Sequence, residues 1–242
     1  MMAKKSFWKL PAALAVSMAL LLASCGGDDG PNIPVSNAGL GTNLTLSGFV
    51  SEFSWVTYFV PFAPSTTITG ITTLPIPLGV TGTIETNGWF SFELPAAVDP
   101  AWLGPFVLPA DVEGVPNVSI SRPNAQGFAV NQFDVTYTFP NRPSLTGTGI
   151  SAFNRGNIRA IEESVIIENV SFVYVDMDVT LTLSQPVVRN AAGILFTLNP
   201  FIINYERGWN AIHTRVVTTE NGVTVSVRGG DFEGLRWMLA TY

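Results

Sequence analysis

The sequence of 242 residues predicts an all-β fold of β-sandwich architecture, built as two sandwich-like subdomains. Three observations carry this expectation. From Asn43 onward, apolar and polar residues alternate with period two, as strands with one buried face require. Asn87-Gly88 and Asn221-Gly222 each separate two such runs, and Asn-Gly tolerates the positive φ of a tight hairpin turn. No segment sustains the 3.6-residue apolar period of a long amphipathic helix.

The elements follow in order. Leu44, Leu46, Gly48 and Val50 alternate with Thr45, Ser47 and Phe49. The run Ser54-Trp55-Val56-Thr57-Tyr58-Phe59-Val60-Pro61-Phe62 is aromatic-rich. Buried, it is a core strand, the preferred reading; exposed, Trp55 and Tyr58 could stack on sugars or enter lipid. Val80 to Glu85 and Trp89 to Leu94 form the arms of the first hairpin. Pro95 to Pro123 carries six prolines, which lack the ladder N–H, so only short edge strands or loop fit there. This stretch is read as a domain boundary; the alternative is a long connection packed across a single domain through Trp102, Leu103 and Phe106. Phe133 to Phe139 alternates again, and Ile158 to Ile167 favours strand over helix because it is β-branched. Val173 to Leu183 reads as one long amphipathic strand that places Asp176 and Asp178 on a single face. Ile194 to Tyr205 is a buried strand broken near Pro200, and Arg215 to Arg228 is the second hairpin. Trp89, Trp209 and Trp237 are expected in the core or at its edge.

Composition narrows function. One Cys and one His exclude an internal disulfide, Cys-cluster zinc sites and two-His metal motifs. Twelve Lys and Arg against 18 Asp and Glu give a charge of −6, a poor balance for binding nucleic acid. The start of the chain is organised as a secretory leader. Lys4, Lys5 and Lys9 precede the thirteen apolar residues Leu10 to Leu22, too short for the roughly 20 that span a bilayer. The following Leu22-Ala23-Ser24-Cys25 resembles the lipobox of bacterial lipoproteins at every position. The resemblance implies acylation of Cys25, cleavage before it, and membrane attachment through the lipid. Gly26 in place of Asp implies the outer membrane. Cleavage would remove all three Lys, leaving nine Arg against 18 acids, a charge of −9. Without Lys, no Schiff-base or Walker lysine is possible.

These signals divide the chain into a leader over 1–24, the lipidated Cys and a flexible tether over 25–42, a first sandwich over 43–97, a Pro-rich linker over 98–123 and a second β-rich domain over 124–242. Leu46-Ser47-Gly48-Phe49-Val50 and Gly82-Thr83-Ile84-Glu85-Thr86-Asn87-Gly88-Trp89-Phe90-Ser91-Phe92-Glu93-Leu94-Pro95 resemble the transthyretin-like, or carboxypeptidase-regulatory-like, sandwich domains of bacterial surface proteins. That resemblance implies a structural or adhesive role.

Candidate chemistry is sparse. Asp176 and Asp178, with Glu162, Glu163 or Glu168, could supply hard oxygens to calcium; a solvent-facing polar row is the preferred reading. Paired carboxylates suggest a glycosidase only weakly. His213 lacks a Gly-x-Ser-x-Gly partner and reads as structural. Arg155 and Arg159 flank Gly156-Asn157 and could form a small anion patch, although a solvated face is preferred. The expectation is a non-catalytic, lipid-anchored envelope protein with a structural or interaction role and no cofactor, whose partner is another envelope protein or a surface glycan. The alternatives are a glycan- or small-ligand-binding lipoprotein, with Trp55, Tyr58, Asp176 and Asp178 as ligand contacts, and a hydrolase with a carboxylate or metal-assisted site.

Overall fold

The structure, a computed structural model, describes residues 33–54, 58–61, 68–69, 72–74, 78, 82–106, 118–130, 132–137, 149–191, 193–230 and 235–240. The leader, Cys25, the first part of the tether and Trp55 lie outside the described residues. The strands are β1 (Val35–Asn37), β2 (Gly39–Gly41), β3 (Leu44–Ser54), β4 (Tyr58–Pro61), β5 (Ile68–Thr69), β6 (Thr72–Leu74), β7 (Thr83–Ile84), β8 (Trp89–Leu94), β9 (Gly104–Pro105), β10 (Val118–Ile120) and β11 (Gln126–Val130). They continue with β12 (Gln132–Tyr137), β13 (Gly149–Ile161), β14 (Ser164–Val175), β15 (Val179–Leu183), β16 (Val187–Ala191), β17 (Ile194–Leu198), β18 (Phe201–Tyr205), β19 (Gly208–Thr219), β20 (Gly222–Gly229) and β21 (Arg236–Ala240). The fold is all-β and sandwich-like, as the alternation predicts.

One sheet has the order β1-β18-β15-β10, with β1 parallel to β18 and the other pairs antiparallel. A larger system runs β16-β17-β20-β19-β14-β13-β21-β3 through successive hydrogen-bonded pairs. β3 belongs to two sheets. Its first half, Leu44 to Phe49, pairs with β8, which leads on to β7 and β5; Val50 to Glu52 pair in parallel with β21. β6 pairs with β12. Strands of 43–97 and of 124–242 are therefore hydrogen-bonded to each other.

They also share a core. Leu46, Val50, Ile84, Phe90, Phe92 and Leu94 pack with Val130, Phe133, Phe172, Tyr174, Trp209 and Trp237. Trp237 sits between the two groups. Its ring meets Phe90 edge-on at 5.0 Å and Phe133 at 6.0 Å, and stacks on Phe172 at 6.1 Å. Its indole N–H donates to the Ser47 carbonyl at 3.2 Å. Gly48 lies beside it at φ +154°, where a Cβ would come 2.8 Å from Trp237 Cδ1. The chain needs glycine there so that β3 can approach the indole.

The described first part of the Pro-rich stretch touches both cores. Trp102 and Leu103 pack on the first core, and Phe106 packs on the second, edge-on to Tyr205 at 4.8 Å. The residues read as tether extend to Thr42, but β1 and β2 lie inside that range. Composition is polar there, yet the backbone of 35–41 finds partners on β18 and β19.

Both Asn-Gly hairpins form, with turns of another shape. At the first, Gly88 N–H donates to Glu85 C=O and only Gly88 takes positive φ, 83°. Asn87 instead accepts the Trp89 N–H on its side chain at 2.8 Å. At the second, the loop residues are Glu220 and Asn221, with Thr219 facing Gly222. Gly222 is needed because a Cβ would lie 2.3 Å from the Leu195 carbonyl of the parallel neighbour β17.

Trp237→Ala should cost about 3–5 kcal/mol, the usual range for emptying a buried aromatic site. Urea unfolding should show one lowered transition sensed alike by fluorescence and circular dichroism. A separate transition that the substitution leaves untouched would contradict a shared core.

Candidate functional site

Asp176 and Asp178 do not share a strand face. The run Val173 to Leu183 breaks between Val175 and Val179: β14 ends in the large system, and β15 begins in the four-stranded sheet. Each carboxylate fixes this crossover. Asp176 accepts the Gln126 N–H at 2.8 Å, and Asp178 accepts the Arg207 N–H at 2.8 Å. Glu162 and Glu163 form the β13–β14 turn at the opposite end of β14, with Glu162 at φ 50°. The proposed calcium ligands are thus spread along the strand. Among the described residues, no group of three or more His, Cys, Asp and Glu is placed to hold a metal ion.

Asp178 lines an open groove of about 730 Å³ with Ser121, Arg122, Thr180, Asn204 and Glu206. Tyr205 also lines it, and burial pushes its phenol above the usual value. Tyr58 opens β4 and faces Ser54 in register. Of the two aspartates expected as ligand contacts, Asp178 lines the groove and Asp176 is turned to the Gln126 N–H.

Two other constellations stand out. The first is the outer face of β3 and β8. Phe49 is 59% exposed and meets Trp89 edge-on at 5.0 Å, directly across the ladder. Thr45, Ser47, Ser91 and Glu93 continue the same exposed face. An aromatic pair bordered by hydroxyls and a carboxylate offers both stacking and hydrogen bonding to a flat polar ligand.

The second lies on the inner face of β13, β14, β19 and β20. Cross-strand rows there pass from apolar to ionic. Tyr174 faces Trp209 and Phe172 faces Ala211; then His213 lies between Val170 and Arg228, and Arg215 between Glu168 and Ser226. Asn157 occupies the Glu168 row on β13. Glu168 is buried. Arg159 Nη2 lies 3.1 Å from its Oε2; His213 Nε2 and Arg215 Nε lie 3.5 and 3.9 Å from its Oε1.

The tautomer of His213 follows from geometry. Arg228 Nε donates to Nδ1 at 3.2 Å, so Nδ1 is unprotonated and the neutral ring carries its proton on Nε2, toward Glu168. His213 is 1% exposed. Burial, and then the charge of Arg228, lower its pKa from 6.5; Glu168 opposes them. Both nitrogens are turned to protein groups, so the imidazole is a link in an ion network rather than a solvent-facing base. His213 is buried and hydrogen-bonded to Arg228, with Glu168 beside it, partners that lie on other strand positions. The register follows from the hairpin as folded: with Thr219 facing Gly222, His213 faces Arg228.

Because the folded pKa lies below the unfolded one, the folded state binds fewer protons below pH 6.5. The stability from neutral His213 is whole above the unfolded value and is lost as pH falls through the folded one. Melting temperature should therefore drop more steeply between pH 7.5 and 5 in the native chain than in His213→Gln, which cannot titrate. Parallel profiles would refute this. Comparison with family models, with curated proteins and with solved structures gives no match.

Proposed function

We propose that the chain is a lipid-anchored protein of the bacterial envelope, held at the outer membrane through Cys25, with a structural or interaction role and no catalysis. The observation that carries this reading is Leu22-Ala23-Ser24-Cys25 behind a basic and then apolar leader. The fold gives the anchor a consequence. The described body begins at Ile33, and eight residues of chain span at most about 29 Å. β1, paired along one edge of the four-stranded sheet, begins two residues later and would lie within about 36 Å of the acylated Cys. The short connection suits a protein that holds a partner close to the bilayer.

A second reading, glycan binding, is favoured by the exposed Phe49–Trp89 pair and its Ser, Thr and Glu border. Sugars offer C–H groups to stack on rings and hydroxyls to bond at the border, and neither demands a deep pocket.

Metabolic labelling with a clickable fatty acid should tag the native chain and spare Cys25→Ala. Equal labelling of both would reject the anchor. For the glycan reading, Trp89 fluorescence should respond to purified envelope polysaccharide, and Phe49→Ala should abolish the response while shifting stability by only about 1 kcal/mol. An unchanged response in Phe49→Ala would remove the aromatic face from consideration.

A further inference from the structure

We propose that the outer face of the four-stranded sheet, β1-β18-β15-β10, rests on the headgroup layer of the bilayer, with Val35 and Ile202 at the end that enters first. This placement rests on the lipid anchor at Cys25, and it adds which side of the body the anchor brings to the membrane.

The four strands carry no charged residue. β1 reads Val-Ser-Asn, β18 Phe-Ile-Ile-Asn-Tyr, β15 Val-Thr-Leu-Thr-Leu and β10 Val-Ser-Ile. Behind the leader the chain has nine Arg against 18 acids. Anionic lipids give a bilayer a negative surface potential that decays over a Debye length, roughly 8–10 Å at ordinary salt. An acidic surface is repelled inside that distance, whereas a neutral one can enter it. Arg122, Asp178 and Glu206 stand together beyond one end of the sheet, where β15 starts and β18 stops. At the other end the flanking residues Pro34, Ser184, Asn199 and Pro200 are uncharged.

Register arranges the outward side chains in rows. Val35, Ile202, Thr182 and Ser119 form the row at the uncharged end, and Asn37, Asn204 and Thr180 form the next. The alternate residues Leu181, Leu183, Phe201 and Ile203 fill the second core. Val35 is 63% exposed, the most of any large apolar side chain among the described residues. Two aliphatic side chains beside two hydroxyls suit the membrane interface, where apolar groups reach the acyl boundary and hydroxyls meet headgroup oxygens. The second row is bonded within itself. Thr180 Oγ1 donates to Asn204 Oδ1 at 2.9 Å, and Asn204 Nδ2 donates to Asn37 Oδ1 at 3.1 Å. These groups keep partners when water above them thins, so their approach to the interface costs little.

The anchor delivers the uncharged end. β1 runs from Val35 at that end to Asn37 nearer the charged one. Pro34, just before it, already accepts the Ile202 N–H at 3.2 Å, so the chain joins the sheet on the side from which it comes. With at most about 36 Å of chain between Cys25 and Val35, the sheet cannot leave the neighbourhood of the bilayer. Such confinement raises the effective concentration of face and membrane, and a contact too weak to hold a free protein becomes populated.

Site-directed quenching tests this. Cys25 is the only cysteine, and acylation would occupy its thiol, so a second cysteine can be labelled alone. Acylated protein carrying Val35→Cys, Thr182→Cys or, on the aromatic face, Ser91→Cys is labelled with a nitrobenzoxadiazole dye. It is placed in vesicles of phosphatidylethanolamine and phosphatidylglycerol that contain a headgroup-nitroxide lipid. Quenching at 35 and 182 should exceed that at 91 several-fold. Adding Val35→Glu to the Thr182→Cys protein should lower its quenching to the level at 91, while the protein still floats with the vesicles; Val35→Lys should leave it high. Native melting curves check that these changes at an exposed edge position retain the fold. Equal quenching at all three positions, stronger quenching at 91, or no response to Val35→Glu overturns the docking, while a clickable fatty acid on Cys25 still upholds the anchor. Protein that takes no fatty acid and does not float overturns both.

Discussion

The packing of Trp237 is the constraint on which the rest of the fold depends. β21 comes from the C-terminal end of the chain, yet it lies parallel to β3 and antiparallel to β13. Its indole reaches Phe90 from the N-terminal hairpin and both Phe133 and Phe172 from the second half. Parallel pairing of β3 with β21 closes a loop that takes in most of the chain, at a high cost in chain entropy. That cost has to be offset by apolar burial, and the aromatic cluster around Trp237 supplies it at the point of closure. The glycine at position 48 follows, because any side chain there would hold β3 away from the indole.

Around this core the chain changes sheets several times, and buried or bridging polar residues hold each crossing. Asn210 is fully buried. Its side chain accepts the Glu206 N–H and donates to the carbonyls of Glu206 and Gly208, which fixes the turn from β18 into β19. Asp178 grips the same turn through Arg207 N–H, and Asp176 ties the end of β14 to β11. Trp209 binds the start of the Pro-rich stretch by donating to the Pro95 carbonyl at 2.7 Å. These backbone groups leave one ladder before joining another, so a side chain has to satisfy them in between.

That division of labour explains what could be read in advance. Strand alternation is local, so β3, β8, β14, β15, β18 and the two hairpins were legible. Sheet membership is not local. Val173 to Leu183 keeps its period across Asp176 and Asp178, but the alternation cannot say that β14 and β15 pair with different strands. The strands at 35–41 were hidden for the same reason: their stability comes from the partners β18 and β19, not from their own composition. Asn221-Gly222 marked the second hairpin correctly. Centring the turn on that dipeptide, however, would put His213 opposite Gly230 instead of Arg228. The parallel neighbour β17, which forces glycine at 222, decides the register. A shift of one position in the turn would separate His213 from Arg228.

The network in turn bears on how that register is held. Alternation penalises only odd slips between β14 and β19, because an odd slip sends every core side chain to the outer face. A slip of two keeps the apolar residues inside and is nearly neutral for a run of Val, Ile and Thr. It is not neutral for Glu168. Moving two places would set its carboxylate opposite His213 or Val217 and take it from Arg215, leaving a buried charge with part of its shell removed. Breaking a buried pair in this way costs several kcal/mol even where replacing the whole pair by apolar residues would not. Glu168 therefore contributes little to net stability but much to selecting one even register over the next. The same carboxylate that closes the core also fixes where the arginines stand.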